Sequence, residues 1–136
     1  EKRGLTNVRV MCADVTEVLT RQITDAALSA ILIFFPDPWP KQRHHKRRLI
    51  QPAFVDVLVQ KLSVNGVLHL ATDWEDYAKH MLKVLGQQQR LVNQAGDGNF
   101  SERPVYRPLT KYEQRGQQQG HAVRDLVYTV RAAPLN

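Results

Sequence analysis

The sequence has little cysteine and no long apolar run. Cys12 is the single cysteine among 136 residues, which excludes an internal disulfide framework or a cysteine zinc cluster and is typical of a reducing compartment. No apolar run approaches the roughly 18 to 20 residues that span a bilayer. The chain does not open on a signal-peptide pattern. We therefore expect a cytoplasmic protein with no membrane partner.

Several common functional motifs are missing as well. The sequence contains no Gly-x-Gly-x-x-Gly, no Walker loop and no nucleophile elbow, so none of the usual nucleotide or hydrolase signatures applies. His44, His45 and His121 have no companion residues at metal-ligand spacing. We accordingly predict no metal site.

Positive charge, in contrast, is abundant and concentrated. The net charge is +6, which favours an anionic partner such as nucleic acid. Segment 30–48 reads AILIFFPDPWPKQRHHKRR and carries five Lys or Arg residues against one Asp, supplying +4 of that charge. A charge run is most often a solvated surface, but its concentration in one segment favours a binding site.

The same segment begins as a predicted buried strand at 30–35. Pro36 and Pro38 end that strand and hold Asp37 on a stiff turn. In an open α/β sheet, ligands bind at the carboxyl ends of the strands, and Trp39 adds a flat surface able to stack on a base. Asp37 is therefore a candidate site residue, with a plain turn or helix cap as the alternative.

Strands and helices alternate along the rest of the chain. Apolar spacing predicts strands at 8–12, 67–72 and 91–94, and an edge strand at 125–131. Helices are predicted from 15 to 23, from 52 until Asn65 and Gly66, from 75 to 86 and within 110–119, with a long surface loop at 95–108. This order predicts one domain built on a doubly wound α/β sheet.

Three acids, Asp14, Asp37 and Asp73, each follow a predicted strand. Because parallel strands end at one edge of a sheet, these carboxylates are expected to converge on a single cleft. Asp14 and Asp73 also precede helices and fit the alternative role of N-cap. Thr110 to Glu113 has the Thr-x-x-Glu spacing of a capping box, so a structural role remains open there too.

The pattern PDPW-x-K-x-x-H-x-K-R-R resembles the signature of bacterial tRNA (guanine-N7)-methyltransferases, as do Ala71-Thr72-Asp73-Trp74 and TKYEQRG at 110–116. The likeness covers nearly the whole chain. It implies a Rossmann-like fold of the class I, S-adenosylmethionine-dependent type, and methyl transfer to N7 of a guanine in the tRNA variable loop. The family's Gly-rich first strand-turn-helix and its second strand are absent here. We therefore expect residues 1–136 to be the C-terminal part of a single methyltransferase domain, inactive alone, and either monomeric or homodimeric.

The resemblance also implies roles by position. Asp37 is the active-site carboxylate, close to both S-adenosylmethionine and guanine, and Asp14 meets the adenine end of the methyl donor. The residues implied to contact the target nucleoside are Lys41, Asp73, Thr110, Lys111, Tyr112 and Glu113. Those implied to hold tRNA phosphates are Arg43, His44, His45, Lys46, Arg47 and Arg48.

A second hypothesis of a different class is a non-catalytic RNA-binding module, in which the basic run and Trp39 grip RNA without chemistry. A third, a metal nuclease built on Asp37, is weaker because no acid-x-Lys partner follows Asp37.

Overall fold

Helices and strands alternate in the computed structural model, which describes residues 6–118 and 122–134. The strands are β1 (Leu28–Phe34), β2 (Leu62–Thr72), β3 (Leu91–Asn93) and β4 (Arg124–Val130). The α-helices are α1 (Val15–Gln22), α2 (Pro52–Lys61), α3 (Glu75–Gly86) and α4 (Lys111–Gln118). A 3-10 helix spans Gln42–Arg47. His121, predicted not to bind metal, lies outside the described residues.

The four strands form one mixed sheet in the order β1-β2-β4-β3. β1 and β2 are parallel, whereas β4 is antiparallel to both β2 and β3. The α/β class is therefore confirmed. Because β1 and β2 run in the same direction, the segments that follow them, with Asp37 and Asp73, leave the sheet at the same edge.

The prediction that 125–131 forms an edge strand is wrong, since β4 lies between β2 and β3. Its alternation has a different cause. Leu126, Tyr128 and Val130 pack into the hydrophobic core, while Asp125, on the opposite face, is buried in a polar cluster. Polar and apolar residues alternate in β4 because one face packs on the hydrophobic core and the other carries the buried Asp125. The alternation therefore does not mean that one face is exposed to solvent.

The predicted strand at 8–12 is also wrong, because this segment has no regular secondary structure. A strand requires a neighbour to pair its backbone groups, and within residues 6–118 and 122–134 β1 pairs with β2 alone. The apolar side chains of the segment remain in solvent, with Val10 88% exposed. Asp14 consequently does not stand at the end of a strand.

The hydrophobic core lies on the face of the sheet covered by α2 and α3, as their helical spacing predicts. It includes Phe54, Leu58, Leu68, Leu70, Tyr77, Met81, Leu85 and Leu126. Among the helices of the described ranges, none has both the length and the apolar character needed to cross a bilayer.

Helix α2 ends at Lys61, four residues before the predicted stop at Asn65, and the chain enters β2 directly. Leu62 already pairs with Leu28 of β1. The Lys61 ammonium is buried and donates to Asp25 Oδ1 at 2.7 Å and to the Ile23 carbonyl at 2.9 Å. These contacts draw the end of α2 into the sheet earlier than its apolar pattern indicates.

In β2 the backbone of Gly66 lies close to that of Ser63, near the start of the strand. We expect Gly66→Ala to destabilise the fold by about 2 kcal/mol. A Cβ there would lie 2.7 Å from the backbone oxygen of Ser63, which cannot move freely. The control is Gly86→Ala at the end of α3, where an added Cβ meets nothing within 4 Å and helix propensity favours alanine. Urea unfolding of both variants measures the difference, and equal stability of the two would contradict this account of Gly66.

Candidate functional site

The carboxyl ends of β1 and β2 border one cleft. Beyond β1, Phe35 adopts φ of 55° and its amide donates to the Ala71 carbonyl at 2.8 Å, so the chain turns sharply from the sheet into Pro36-Asp37-Pro38. Beyond β2, the chain continues through Asp73 into α3. The cleft has a volume of about 450 Å³ and is lined by Phe35, Pro36, Pro38, Asp73, Trp74, Thr110 and Tyr112.

Asp73 faces this cleft and does not cap α3. The N-cap residue of α3 is Trp74, and the Trp74 amide donates to Thr72 Oγ1 at 3.2 Å. Asp73 Oδ2 instead accepts a hydrogen bond of 3.1 Å from the Tyr112 hydroxyl. That bond raises the pKa of Tyr112, so the hydroxyl remains a donor at neutral pH. The capping interpretation of Asp73 is wrong, and its carboxylate is available to a ligand.

Asp37 is exposed between the two prolines that line the cleft, but it is not itself part of the cleft wall. Within the described parts of the chain, no hydrogen bond or ion pair engages its carboxylate. The prolines hold its backbone in place, so the charge is fixed at the rim of the cleft.

Asp14 has the structural role that its position before α1 suggested. Its carboxylate accepts a hydrogen bond of 3.2 Å from the Glu17 amide and caps α1. Since no strand precedes it, the expected convergence of three strand-end acids reduces to two, Asp37 and Asp73. A capping carboxylate keeps further lone pairs, so one capping bond does not prevent a second.

Arg48 was expected to hold phosphate, but it is 3% exposed and serves as an internal anchor. Its Nε donates to the Pro38 carbonyl at 2.8 Å, and its Nη2 donates to Asp76 Oδ2 at 2.7 Å. The guanidinium also lies over the ring of Tyr77, 4.7 Å from the centroid. These contacts fasten the PDPW turn to the start of α3, and the phosphate role of Arg48 is corrected to that of a loop anchor.

Replacing this anchor by Arg48→Met is expected to cost about 2 kcal/mol of stability, because the part-buried Pro38 carbonyl and the Asp76 carboxylate both lose their donor. The Arg48 hydrogen bond lowers the pKa of Asp76. The stability that this ion pair contributes is therefore present above pH 4 and is lost as the pH falls through the lowered pKa. Thermal unfolding at pH 7 and pH 3 should therefore differ less in the variant. Arg43→Met, at an exposed position, is the control, and an equal loss there would contradict the anchoring role.

The rest of the basic run divides into exposed and packed residues. Lys41, Arg43 and Lys46 are exposed. His44 meets Trp39 edge-on at 5.8 Å, and the exposed Arg47 lies over the same ring at 5.2 Å. His45 Nε2 lies 3.2 Å from the Pro40 carbonyl and 3.6 Å from Asp76 Oδ2. The exposed cations form a basic surface on the segment that follows the PDPW turn, and such a surface suits phosphates.

Trp39 packs against His44 and Arg47 of its own segment and is not among the residues that line the cleft. Other aromatic rings lie there. Tyr112 is 67% exposed and Trp74 is 45% exposed, and both line the cleft. In the sequence, Trp74 is the last residue of the Ala71-Thr72-Asp73-Trp74 motif, but no role in the site was predicted for it. The signal that could have identified it was its position directly after Asp73 at the end of a strand.

Glu113 was expected to contact the target nucleoside, but it is 2% exposed and is bound by Arg107. Arg107 Nη1 donates to Glu113 Oε1 at 2.6 Å, and Nη2 donates to Oε2 at 3.0 Å. Thr110 Oγ1 accepts from the Glu113 amide at 3.1 Å, so Thr110 caps α4. The Glu113 side chain completes an ion pair and not a capping box. Lys111 is exposed beside them.

Comparison with known proteins identifies similar sequences. A model of a family described as "Putative methyltransferase" matches residues 1–126. A tRNA (guanine-N(7)-)-methyltransferase from Methylococcus capsulatus is 60% identical over 128 residues, which cover 94% of this chain and 55% of the relative. The protein of the same name from Nitrosomonas eutropha is 57% identical over 129 residues, covering 95% and 57%. The chain therefore spans about half the length of the curated relatives it matches.

Proposed function

Because the chain belongs to this methyltransferase family, we propose that residues 1–136 form the C-terminal, substrate-side part of a tRNA (guanine-N7)-methyltransferase domain. The domain transfers methyl from S-adenosylmethionine to N7 of a guanine in the tRNA variable loop. The observation that carries this proposal is the cleft at the ends of β1 and β2, whose wall holds both the Asp73–Tyr112 pair and the two prolines that flank Asp37, with exposed cations following in the same segment. A tRNA substrate places the protein in the cytoplasm.

The proposed fold is the Rossmann-like sheet of class I methyltransferases, continued beyond β1 by strands from the remaining length of the relatives. β1 has an open edge within the described residues, and Leu32 on it is 48% exposed although the strand is apolar.

The resemblance assigns Asp37 and Asp14 to the methyl donor, and the chemistry of both carboxylates suits it. S-adenosylmethionine supplies an electrophilic methyl group on a sulfonium. The exposed carboxylate of Asp37 is suited to its positive and N–H groups, and Asp14 retains acceptor capacity for the adenine amino group while it caps α1.

The chemistry at guanine requires orientation more than a strong base, because N7 carries a lone pair and no proton. Asp73 and Asp37 accept hydrogen bonds from the guanine N–H groups and stabilise the positive charge that develops on the ring. The Tyr112 hydroxyl holds the Asp73 carboxylate in one orientation. Trp74 and Tyr112 present aromatic surfaces to a base removed from its stack.

Phosphate binding is assigned to the exposed cations Arg43, Lys46 and Arg47, and the exposed Lys41 keeps its implied contact with the target nucleoside. Neutralising phosphates in this way makes affinity fall with salt. Because Arg48 and Glu113 are buried, they are left out of the direct contacts.

The test uses a chimera in which this chain replaces the matched 128-residue stretch of the Methylococcus capsulatus relative. Transfer of labelled methyl from S-adenosylmethionine to unmodified tRNA is measured for the chimera and for the 136-residue chain. We expect the chimera to methylate guanine N7 and the chain alone to bind tRNA without transferring methyl. If the chimera binds tRNA without transfer while the intact relative is active, the RNA-binding module becomes the better hypothesis.

A further inference from the structure

A polar cluster lies on the face of the sheet opposite the hydrophobic core. In β2, Leu68 and Leu70 point into the core, whereas the fully buried His69 between them points to the other face. His69 Nε2 lies 2.6 Å from Asp125 Oδ2 of β4, and His69 Nδ1 lies 2.7 Å from the Tyr106 hydroxyl. The cluster therefore joins two neighbouring strands to the loop that precedes α4.

Arg107 is the centre of this cluster. Its Nε and Nη2 donate to the two oxygens of Asp125, each at 2.7 Å, and its Nη1 and Nη2 donate to Glu113. One planar guanidinium thus bridges a carboxylate of β4 and a carboxylate of α4. Lysine, with a single point charge, cannot hold two carboxylates in this fork geometry.

Within residues 6–118 and 122–134, helix α4 has no buried apolar side chain that anchors it to the sheet. Among Lys111–Gln118, the buried side chain is Glu113. Tyr112, Gln114 and Arg115 are exposed. The ion pair between Glu113 and Arg107 therefore provides the attachment of α4 that hydrophobic packing usually provides in an amphipathic helix.

We infer that Arg107 is a positioning residue: by holding Glu113 against Asp125, it fixes the first turn of α4 so that Tyr112 reaches Asp73 and Thr110 lines the cleft. Its guanidinium also lies 5.9 Å from the ring centroid of the cleft residue Phe35, and its side-chain hydrogen bonds reach the cleft only through this helix. The inference rests on the proposed function for its kinetic consequence, but the placement of α4 can be measured without any catalysis.

The kinetic experiment is a double-mutant cycle in the chimera, with Arg107→Lys and Tyr112→Phe. Each single variant is expected to raise KM for tRNA about 10-fold and to leave KM for S-adenosylmethionine within 2-fold. Because both remove the same Tyr112–Asp73 contact, the double variant should also be about 10-fold impaired. A 100-fold effect in the double variant, or an equal rise in both KM values, would refute the positioning role.

Glu113→Gln separates indirect from direct action. Glutamine keeps one acceptor for Arg107 but removes the charge and places an amide donor against the guanidinium, so we expect KM for tRNA to rise no more than for Arg107→Lys, with no further rise when the two changes are combined. A loss equal to that of Asp73→Asn would mean that Glu113 contacts the guanine itself, and the inference would then be wrong. For Arg107→Lys, the matched control is Arg115→Lys, which makes the same chemical change at an exposed position of α4.

Hydrogen exchange in the 136-residue chain tests the placement of α4 independently of activity. Arg107→Lys should lower protection of the α4 amides at least 10-fold, including Gln114, whose amide donates to the Thr110 carbonyl. Amides of the β1–β2 ladder should keep wild-type protection. Unchanged α4 protection overturns the inference, whereas an inactive wild-type chimera with lowered α4 protection overturns the proposed function alone.

Discussion

Asp37→Asn in the chimera is expected to lower methyl transfer to tRNA about 10³-fold while leaving tRNA affinity unchanged or slightly higher. The carboxylate is held at the rim of the cleft between two prolines, so asparagine occupies the same place without the charge. Loss of one preorganised group that stabilises transition-state charge costs about 10² to 10³ in rate. Removing a negative charge beside the basic surface cannot weaken phosphate binding. Single-turnover transfer and filter binding measure the two quantities.

The matched control for this charge change is Asp56→Asn. Asp56 lies exposed on α2, outside the cleft, and accepts a hydrogen bond from Gln88 that asparagine can keep. Asp56→Asn should leave both the rate of methyl transfer and the tRNA affinity unchanged. A parallel loss of tRNA affinity and rate in Asp37→Asn would indicate that Asp37 supports the loop and has no part in the chemistry.

Asp125→Ala is expected to give the largest loss of stability, about 3–5 kcal/mol. Removing this carboxylate leaves the buried Arg107 with Glu113 as its one remaining carboxylate. It also deprives His69 of its acceptor. Breaking a buried ion pair from one side costs about this much. Urea unfolding of the 136-residue chain measures it, with Asp97→Ala in the exposed 95–98 turn as the control.

The same residue predicts the acid limb of the stability curve. Burial raises the pKa of Asp125, but hydrogen bonds from His69 and Arg107 outweigh it and leave the pKa lowered. A lowered folded-state pKa gives stability that is complete above the unfolded value near 4 and is lost as the pH falls through the folded value. Asp125→Asn should flatten this loss. An unchanged slope between pH 5 and pH 2 would contradict the prediction.

Local patterns predicted the elements that bury a regular face. The spacing of Phe54 and Leu58, and that of Tyr77, Met81 and Leu85, located α2 and α3, because a core face repeats every three or four residues. The turn residues around Asp37 located the end of β1 for a similar reason. These features depend on neighbours in sequence, and sequence displays such neighbours directly.

The errors arose where the partner is distant in sequence. Arg48 and Glu113 look like surface charges in any local window, but Arg48 binds Asp76, 28 residues away, and Glu113 binds Arg107, which is held in turn by Asp125, 18 residues from Arg107. The apolar run 8–12 looks like a strand, but a strand forms only beside another. The site followed the same rule, since proximity of Asp37 and Asp73 came from a parallel pair, whereas the Tyr112–Asp73 bond depends on α4.

The open edge of β1 also governs how this chain behaves in concentrated solution. A strand with unpaired amide and carbonyl groups is a template for a strand from another molecule, and Leu32, Val10 and Met11 add exposed apolar surface near one end of the chain. Copies of the chain kept apart from the rest of a methyltransferase domain are thus expected to aggregate edge to edge as their concentration rises. Under the proposed function, strands that cover the β1 edge would protect the protein against self-association as well as extending its sheet.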